Sequence, residues 1–444
     1  MMNIFDLAYH LVGGLVCLFL ALFSVSSVSE RKPRAAIVAV TALMLFGLVW
    51  SGGYYLLRPP GWVPAAAVIA ILLLAALYFA PIGSKELLQI GSIDQKFDER
   101  DVVFAREEYV PGTEKYERYY GSHPERKAAD DKMRSLPELL RPGGRYYDAV
   151  RSPRVEAVFT VIESLTTAVD GDVNADRAPV DPAETARQVK DLLGRFGAGE
   201  VGIARLNPMY VYSHVGRGPE PWGTPINNDH PFVIVFTLEM DYHRVEAAPD
   251  LPIIEESAFQ YQRGAQISIA VARLIRALGY RARAHIAGSN YQIILPAVAH
   301  DAGLGELGRI GYLISPKLGP RIRLGAITTD MPLAVDRPLS FGVQNFCEKC
   351  LKCADNCPSA AIPKGAGCDV RGVKKWPLDA ERCIHYWRSI GTDCGLCMKV
   401  CPYSHPPTFV HNLVRAGIRR SSPARTISLY GDNLLYGKRV RNFV

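Results

Sequence analysis

Nine of the ten cysteines of this 444-residue chain fall in one short region near its C-terminal end. Several are only two or three residues apart, as in Cys347-x2-Cys350-x2-Cys353-x3-Cys357. Such spacings are too tight for ordinary disulfide bonds and suit the chelation of a metal. The region is therefore predicted to fold as tight loops around metal centres.

The cysteine spacings further predict two iron–sulfur clusters. The first run ends in Cys357-Pro358 and has the ferredoxin spacing, in which the fourth cysteine binds the other cluster. The second run, Cys394-x2-Cys397-x3-Cys401-Pro402, lacks its first cysteine, and Cys383, eleven residues upstream of Cys394, is the natural substitute. The predicted ligands are Cys347, Cys350, Cys353 and Cys401 for cluster 1, and Cys357, Cys383, Cys394 and Cys397 for cluster 2.

Structural zinc is the alternative for these thiols, because paired C-x2-C motifs also bind zinc. The two C-x3-C-P endings favour iron–sulfur clusters over zinc. Cys17 and Cys368 are left over, and both are predicted to be free buried thiols.

Three long apolar segments precede the cysteine region, at residues 7–28, 35–57 and 63–82. Each is about the length that a helix needs to cross a hydrocarbon core of roughly 30 Å. Three in succession predict a multi-pass membrane anchor. A secretory signal is the alternative for the first segment, but residues 1–6 carry no basic side chain and two more spans follow.

The distribution of basic residues predicts the orientation of the anchor. Arg31, Lys32 and Arg34 lie between the first two spans, whereas only Arg58 lies between the second and third. The positive-inside rule then places the first loop in the cytoplasm, and the third span returns the chain there at Lys85. We therefore expect a protein of the inner (cytoplasmic) membrane with its large C-terminal part on the cytoplasmic side. A net charge of +7 gives no strong nucleic-acid signature.

The region between the anchor and the cysteines alternates helix and strand patterns. Residues 85–144 are polar and predict an extended connection. Asp181-Pro182 predicts the start of a helix that Gly197 closes. A long helix is predicted over 255–278, and strands over 200–206, 232–240, 281–287, 311–315 and 324–329, with 232–240 central in the sheet. This alternation predicts an α/β or α+β domain.

One glycine pattern within this region is misleading. Gly303, Gly305 and Gly308 match the dinucleotide-binding pattern G-x-G-x-x-G. That site needs a strand before the glycines and a helix after them, and here the predicted order is reversed. The glycines favour a close approach of the backbone to some other ligand.

The stretch Ala297–Ile362, which contains AGLGELGRIGYLISPKLGPRIRLGAITTD and the first cysteine run, resembles the corrinoid-dependent reductive dehalogenases. The similarity runs from about Asp94 to the C-terminal end and includes ERCIHYW at 381–387, with the displaced Cys383. The resemblance implies a nitroreductase-like α/β domain that binds a cobalamin-type corrinoid. It also implies two [4Fe–4S] clusters that reduce the corrinoid, and an organohalide substrate that loses halide and gains hydrogen.

The resemblance also implies particular site residues. Tyr261, which precedes the IRALGY segment at 275–280, matches the family's catalytic tyrosine, and Arg323 in GPRIR matches its basic partner. Asn290 matches an active-site asparagine. A phenol beside a guanidinium gives up its proton more readily, whereas arginine stays charged and cannot be the donor. The expected corrinoid contacts are Tyr291, Gly303, Gly305 and Arg309.

Four domains follow from these patterns. They are a three-helix transmembrane anchor at 1–84, a connection plus the corrinoid-binding domain at 85–340, a bacterial ferredoxin-like α+β domain with two clusters at 341–410, and a tail at 411–444 that packs on the catalytic domain. Many members of the family carry a twin-arginine export signal and use a separate membrane anchor. This chain carries three spans of its own, which leaves a respiratory or catabolic role open.

The predicted partners are an organohalide, membrane lipid and an electron donor, with no nucleic acid. The donor is a quinol, a ferredoxin, a flavodoxin or a flavin reductase. One alternative is a membrane electron-transfer iron–sulfur subunit that does no chemistry of its own. The other is an epoxyqueuosine reductase-like corrinoid enzyme that acts on tRNA.

Overall fold

The chain divides into two units, each assembled from segments that are distant in sequence. The computed structural model describes residues 4–57, 59–83, 88–287 and 291–440. The first unit consists of Met1–Glu86, Asn345–Cys350 and His405–Val444, and the second of Leu87–Gln344 and Leu351–Ser404.

The first unit contains the membrane anchor. Three of its helices, Ile4–Ser29, Pro33–Leu56 and Trp62–Phe79, are long and apolar enough to cross a membrane, in agreement with the three predicted spans. The middle one is α-helical over Pro33–Gly47, π-helical over Leu48–Gly52 and α-helical again over Gly53–Leu57. Tyr9 of the first helix stacks on Trp50 of the second, with ring centroids 4.0 Å apart.

Two tail helices, Phe409–Arg420 and Ser422–Tyr436, complete the first unit. Val410 is buried in one apolar cluster with Phe23 and Ala39 of the anchor. The tail helices pack on the anchor helices through such apolar contacts. The packing of residues 411–444 on the catalytic domain stays a prediction.

The second unit is organised around an antiparallel sheet. The strands of the chain are β1 (Val201–Arg205), β2 (Phe232–Glu239), β3 (Ala282–His285), β4 (Glu306–Leu307), β5 (Leu313–Ile314), β6 (Ile322–Thr329), β7 (Cys368–Val370) and β8 (Val373–Lys375). The main sheet has the order β1-β2-β6-β3 with antiparallel pairing throughout. Of the two classes that the sequence allowed, α+β describes this sheet. The pairs β4-β5 and β7-β8 are separate two-stranded sheets.

Strand β2 is interior to the sheet, as its apolar sequence predicted. Ile234 and Phe236 face one hydrophobic cluster, and Val233 and Val235 face the other. Side chains alternate between the faces of a strand, so a strand buried on both sides is apolar at every position. Gly325 pairs with Phe236 across β2 and β6, and a Cβ at this glycine would come within 2.3 Å of the phenylalanine ring.

Several helices pack on this sheet. The longest, Pro252–Ala277, is called the site helix here and packs on β3 and β6. The other α-helices between the anchor and the tail are Val103–Glu107, Glu114–Ser122, Pro124–Arg134, Arg151–Ser164, Pro182–Arg195, Tyr242–Glu246, Leu295–Asp301, Val343–Lys349, Lys352–Asp355, Ala380–Ile390 and Leu396–Lys399.

The region predicted as an extended connection contains three helices between residues 103 and 134. Tyr109, Tyr116, Tyr119 and Tyr120 form a buried cluster there. Aromatic rings bury a large apolar surface even in a segment of low hydropathy. The polar composition of the segment therefore did not reveal this small core.

Candidate active site and iron–sulfur centre

Four thiols meet in the second unit. Cys357, Cys383, Cys394 and Cys397, the predicted ligands of cluster 2, line one cavity. Burial, together with the negative charge of the neighbouring thiolates, raises the pKa of the Cys383, Cys394 and Cys397 thiols to about 12. Thiolates crowded in this way require a strongly positive partner, so the donor set fits an iron–sulfur cluster.

The displaced ligand Cys383 is positioned by a well-capped helix. Asp379 accepts a hydrogen bond from the backbone N–H of Arg382 at 3.0 Å and so begins the helix Ala380–Ile390. Gly391 ends that helix in the left-handed conformation. The cap fixes the first turn, and Cys383 lies in that turn.

The loop between Cys394 and Cys397 depends on its glycine. Gly395 has a φ of +62°, which disfavours any residue with a side chain. A Cβ at this position would also lie 2.6 Å from Cγ1 of Ile253 on the site helix. The glycine thus allows both thiols to reach the same cavity while the loop packs against that helix.

The predicted ligands of cluster 1 are divided between the two units. Cys347 and Cys350 belong to the first unit, and Cys353 and Cys401 belong to the second. Their joint role remains a prediction from spacing. Of the two left-over cysteines, Cys368 is exposed on β7, so the prediction that it is a buried thiol is wrong.

Arg323 borders the same cavity as the four thiols. It lies on β6 opposite Leu238 of β2, which directs it to the face of the sheet that the site helix covers. Its Nη2 donates a hydrogen bond to Ser257 Oγ at 2.6 Å and lies 3.5 Å from a carboxylate oxygen of Asp393. Burial acts to lower the pKa of Arg323, but Tyr261 and Asp393 outweigh it and the net shift is upward. The guanidinium is therefore a fixed positive charge.

Tyr261 lies beside this charge. The central carbon of the Arg323 guanidinium is 5.1 Å from the centroid of the tyrosine ring. Ser257 precedes Tyr261 by four residues on the site helix, so both side chains share one face of that helix. The structure thus brings together Tyr261 and Arg323, two of the three residues predicted to act on substrate.

The remaining predicted contacts are more scattered. Tyr291 packs against the same apolar cluster as Tyr261, and burial raises its pKa. Arg309 is buried, donates to the carbonyl oxygens of Pro363 and Gly365 at 2.8 Å, and stacks on Trp376. Asn290 lies outside the described residues.

Both predicted glycines are explained by packing within the protein. A Cβ at Gly303 would lie 2.6 Å from the carbonyl oxygen of Arg337, and one at Gly305 would lie 2.3 Å from that of Ile314. The described contacts of these glycines are therefore with backbone, and a role in binding a corrinoid remains a prediction.

Sequence reasoning missed three residues of this site: Ser257, Tyr312 and Asp393. Asp393 is 8% exposed and accepts a hydrogen bond from Ser257 Oγ at 2.7 Å. Tyr312 lines the cavity, and burial raises its pKa. One sequence signal could have identified Asp393, because it directly precedes Cys394. A carboxylate next to a thiolate needs a cation nearby, and Arg323 is that cation.

Comparisons with known proteins agree with this site. The family described as "4Fe-4S dicluster domain" matches residues 346–405. The tetrachloroethene reductive dehalogenase of Sulfurospirillum multivorans is 33% identical over 288 residues, covering 56% of this chain and 57% of that protein. The tetrachloroethene reductive dehalogenase of Desulfitobacterium hafniense is 39% identical over 279 residues, covering 52% of this chain and 50% of that protein.

A solved structure shows the same relationship. The catabolic reductive dehalogenase NpRdhA matches with a TM-score of 0.65 and 27% identity, covering 82% of this chain and 50% of that chain. The chain spans about half the length of the curated relatives it matches.

The cysteine loops and the sheet beside them define an iron–sulfur protein with a ferredoxin-like domain. Over about half of its length the chain is similar to reductive dehalogenases, in agreement with the resemblance seen in its own residues.

Proposed function

We propose that this chain is a membrane-anchored reductive dehalogenase that replaces a halogen of an organohalide with hydrogen. The observation that carries the proposal is the pair of Tyr261 and Arg323, held 5.1 Å apart next to a cavity lined by four cysteine thiols. Replacement of halogen by hydrogen takes up two electrons and one proton and releases halide. An iron–sulfur cluster held by the four thiols would deliver the electrons, and the phenol of Tyr261 would deliver the proton.

Each side chain has a distinct task in this reaction. Tyr261 donates the phenolic proton to the carbon that has lost its halogen. Arg323 remains cationic, stabilises the phenolate left behind and attracts the departing halide. Asp393 and Ser257 hold the guanidinium in place and are positioning residues. Asn290 is proposed to orient the substrate or the halide.

A corrinoid, when bound, supplies the reducing cobalt that cleaves the carbon–halogen bond. The residues present fit such a group, because Arg323 borders the cavity and its Nε has no hydrogen-bond partner among the described residues. A polar ligand would satisfy that buried N–H. The proposed protein contacts of the corrinoid are Tyr291, Gly303, Gly305 and Arg309.

Two [4Fe–4S] clusters are proposed to carry the electrons. Cluster 2 takes the four thiols of the cavity, and cluster 1 takes Cys347, Cys350, Cys353 and Cys401. The C-x2-C-x2-C-x3-C-P spacing and the dicluster match support this count.

The protein is proposed to lie in the inner membrane with its catalytic part in the cytoplasm. The excess of basic residues between the first and second spans supports this orientation. The electron donor would then be a quinol in the bilayer, or a soluble ferredoxin, flavodoxin or flavin reductase.

The test uses the full chain, purified in detergent without oxygen from cells supplied with a corrinoid. Iron and cobalt are counted per chain, and halide release is assayed with tetrachloroethene, trichloroethene and 3-bromo-4-hydroxybenzoic acid under a chemical reductant. Iron, cobalt and halide release together are expected. Iron without cobalt after corrinoid reconstitution would instead indicate an electron-transfer subunit, and cobalt with turnover only on epoxyqueuosine tRNA would indicate the tRNA enzyme.

A further inference from the structure

A buried group of two histidines and one glutamate lies in the first unit, whereas the site described above belongs to the second. Glu30 follows the first membrane helix, His411 lies in the tail helix Phe409–Arg420, and His405 precedes that helix by four residues. Glu30 Oε1 is 2.6 Å from His411 Nε2, a hydrogen-bond contact that a bound metal ion would replace, and Glu30 Oε2 is 3.4 Å from His405 Nδ1. One nitrogen or oxygen from each residue lies within 4.8 Å of the others.

All three side chains are withdrawn from solvent. The side chain of Glu30 is 1% exposed, that of His411 is 7% exposed and that of His405 is 14% exposed. A carboxylate buried to this extent requires a positive partner. Ser26 Oγ and the Tyr436 hydroxyl also donate to Glu30, at 2.9 and 3.3 Å, and these neutral donors orient the carboxylate without neutralising it.

A second carboxylate fixes the ring of His405. Asp432 Oδ1 is 3.0 Å from His405 Nε2. Metal-binding histidines are commonly held in this way, with the nitrogen remote from the metal donating its proton to a carboxylate. When Nε2 carries that proton, Nδ1 presents a lone pair.

That lone pair faces an oxygen of Glu30. His405 Nδ1 has no hydrogen-bond partner within the described part of the chain. Two electron-rich atoms 3.4 Å apart in a buried place repel each other unless a proton or a metal ion lies between them. A separation of about 3.4 Å is also that of two ligands in a tetrahedral site with bonds of about 2.1 Å.

We propose that His405 Nδ1, His411 Nε2 and the carboxylate of Glu30 bind a divalent first-row transition metal ion, such as Zn²⁺ or Fe²⁺. Two imidazoles and one carboxylate suit these ions and leave a position for water. The ion would tie the end of the first membrane helix to the tail helices. This site is independent of the proposed dehalogenation and of the cysteines.

The test measures zinc binding to the full chain with its iron–sulfur clusters loaded, so that the cysteines are occupied. Equilibrium dialysis against Zn²⁺ gives the number of ions per chain, and X-ray absorption at the zinc edge gives the ligand type. One zinc is expected, with nitrogen and oxygen ligands at about 2.0–2.1 Å. His411→Ala and Glu30→Gln should each lose that zinc. Asp432→Asn should weaken binding by about 10–100-fold.

His243→Ala removes an exposed histidine elsewhere and should leave zinc binding unchanged. Zinc that persists in His411→Ala and Glu30→Gln, or that has sulfur ligands at about 2.3 Å, would overturn the proposal. So would the failure of the unsubstituted chain to bind zinc, in which case His405 is an imidazolium between two carboxylates. If His411→Ala does not fold, the near-isosteric Glu30→Gln and the absorption spectrum of the unsubstituted chain still decide.

Discussion

The guanidinium of Arg323 lies over the ring of Tyr261, with its central carbon 5.1 Å from the ring centroid. The same guanidinium also donates a hydrogen bond to Ser257 Oγ and lies 3.5 Å from a carboxylate oxygen of Asp393. A buried cation over an aromatic face contributes about 0.5–2 kcal/mol. The arrangement therefore holds a phenol and a permanent positive charge in one place.

Tyr261→Phe should abolish most turnover while leaving cofactor content intact. Phenylalanine keeps the ring beneath Arg323 and removes only the hydroxyl. Loss of a general acid typically lowers the rate by about 10²–10⁴-fold. Halide release and metal content are measured on the same preparation, with Tyr430→Phe, an exposed tyrosine of the tail, as the matched control. Normal halide release from Tyr261→Phe would remove this tyrosine from the mechanism.

Several elements of the fold and of the site were predicted correctly from local sequence patterns. The side chain of Asp181 accepts hydrogen bonds from the backbone of Ala183 and Glu184, so the predicted helix start was correct. Strand β2 was predicted from continuous apolar residues because both of its faces are buried. Cys383 was chosen by spacing, and the structure brings it to the cavity of Cys394 and Cys397.

Long-range relationships could not be predicted in this way. Asp393 and Ser257 are 136 residues apart in sequence, and their hydrogen bond leaves no local pattern. Glu30 and His411 are separated by 381 residues, and each alone reads as an ordinary polar residue. The tyrosine-rich helices near residue 116 were missed because their small core is aromatic rather than aliphatic.

Asp393→Asn should weaken both activity and stability while iron content is retained. The substitution preserves shape but leaves the buried Arg323 without its carboxylate partner. Breaking a buried ion pair by removing one member costs about 3–5 kcal/mol. The thermal unfolding midpoint and the pH profile of halide release are the measurements. The control variant Asp229→Asn breaks the ion pair with Arg281, in which both side chains are at least half exposed. This variant should change the unfolding midpoint and the activity little. Equal behaviour of the two variants would show that Asp393 does not hold Arg323.

Cys383→Ser should remove cluster 2 and spare cluster 1. The variant loses one of the four thiols that line the cavity, and about half of the iron should be lost, since each cubane needs four thiolates. Iron per chain and the electron paramagnetic resonance of the reduced protein report the loss. Cys368→Ser, which changes an exposed thiol on β7, is the matched control and should retain all iron. Full iron in Cys383→Ser would mean that the displaced ligand is assigned wrongly.

His285 should make the second unit sensitive to acid. This histidine is fully buried on β3, with its Nε2 3.0 Å from Thr328 Oγ1. Burial, and to a lesser extent the charges of Arg283 and His230, hold its pKa well below the usual value. The folded state therefore keeps His285 neutral, whereas the unfolded chain binds a proton below a pH of about 6.5. Because the unfolded state binds more protons, the free energy of unfolding should fall as the pH drops below that value.

His285→Gln keeps a polar side chain opposite Thr328 but does not titrate, so its free energy of unfolding should decline less steeply in acid. Denaturant unfolding of the full chain between pH 5 and 7.5 gives the slopes, with about 1.4 kcal/mol per pH unit as the limit for one proton. His230 also contacts Thr328 and has a lowered pKa, mainly through burial, so it retains part of the slope in the variant. His243→Gln, at an exposed position, should follow the unsubstituted protein. If the free energy of unfolding of His285→Gln declined in acid as steeply as that of the unsubstituted protein, the buried neutral histidine would not be the source of the acid sensitivity.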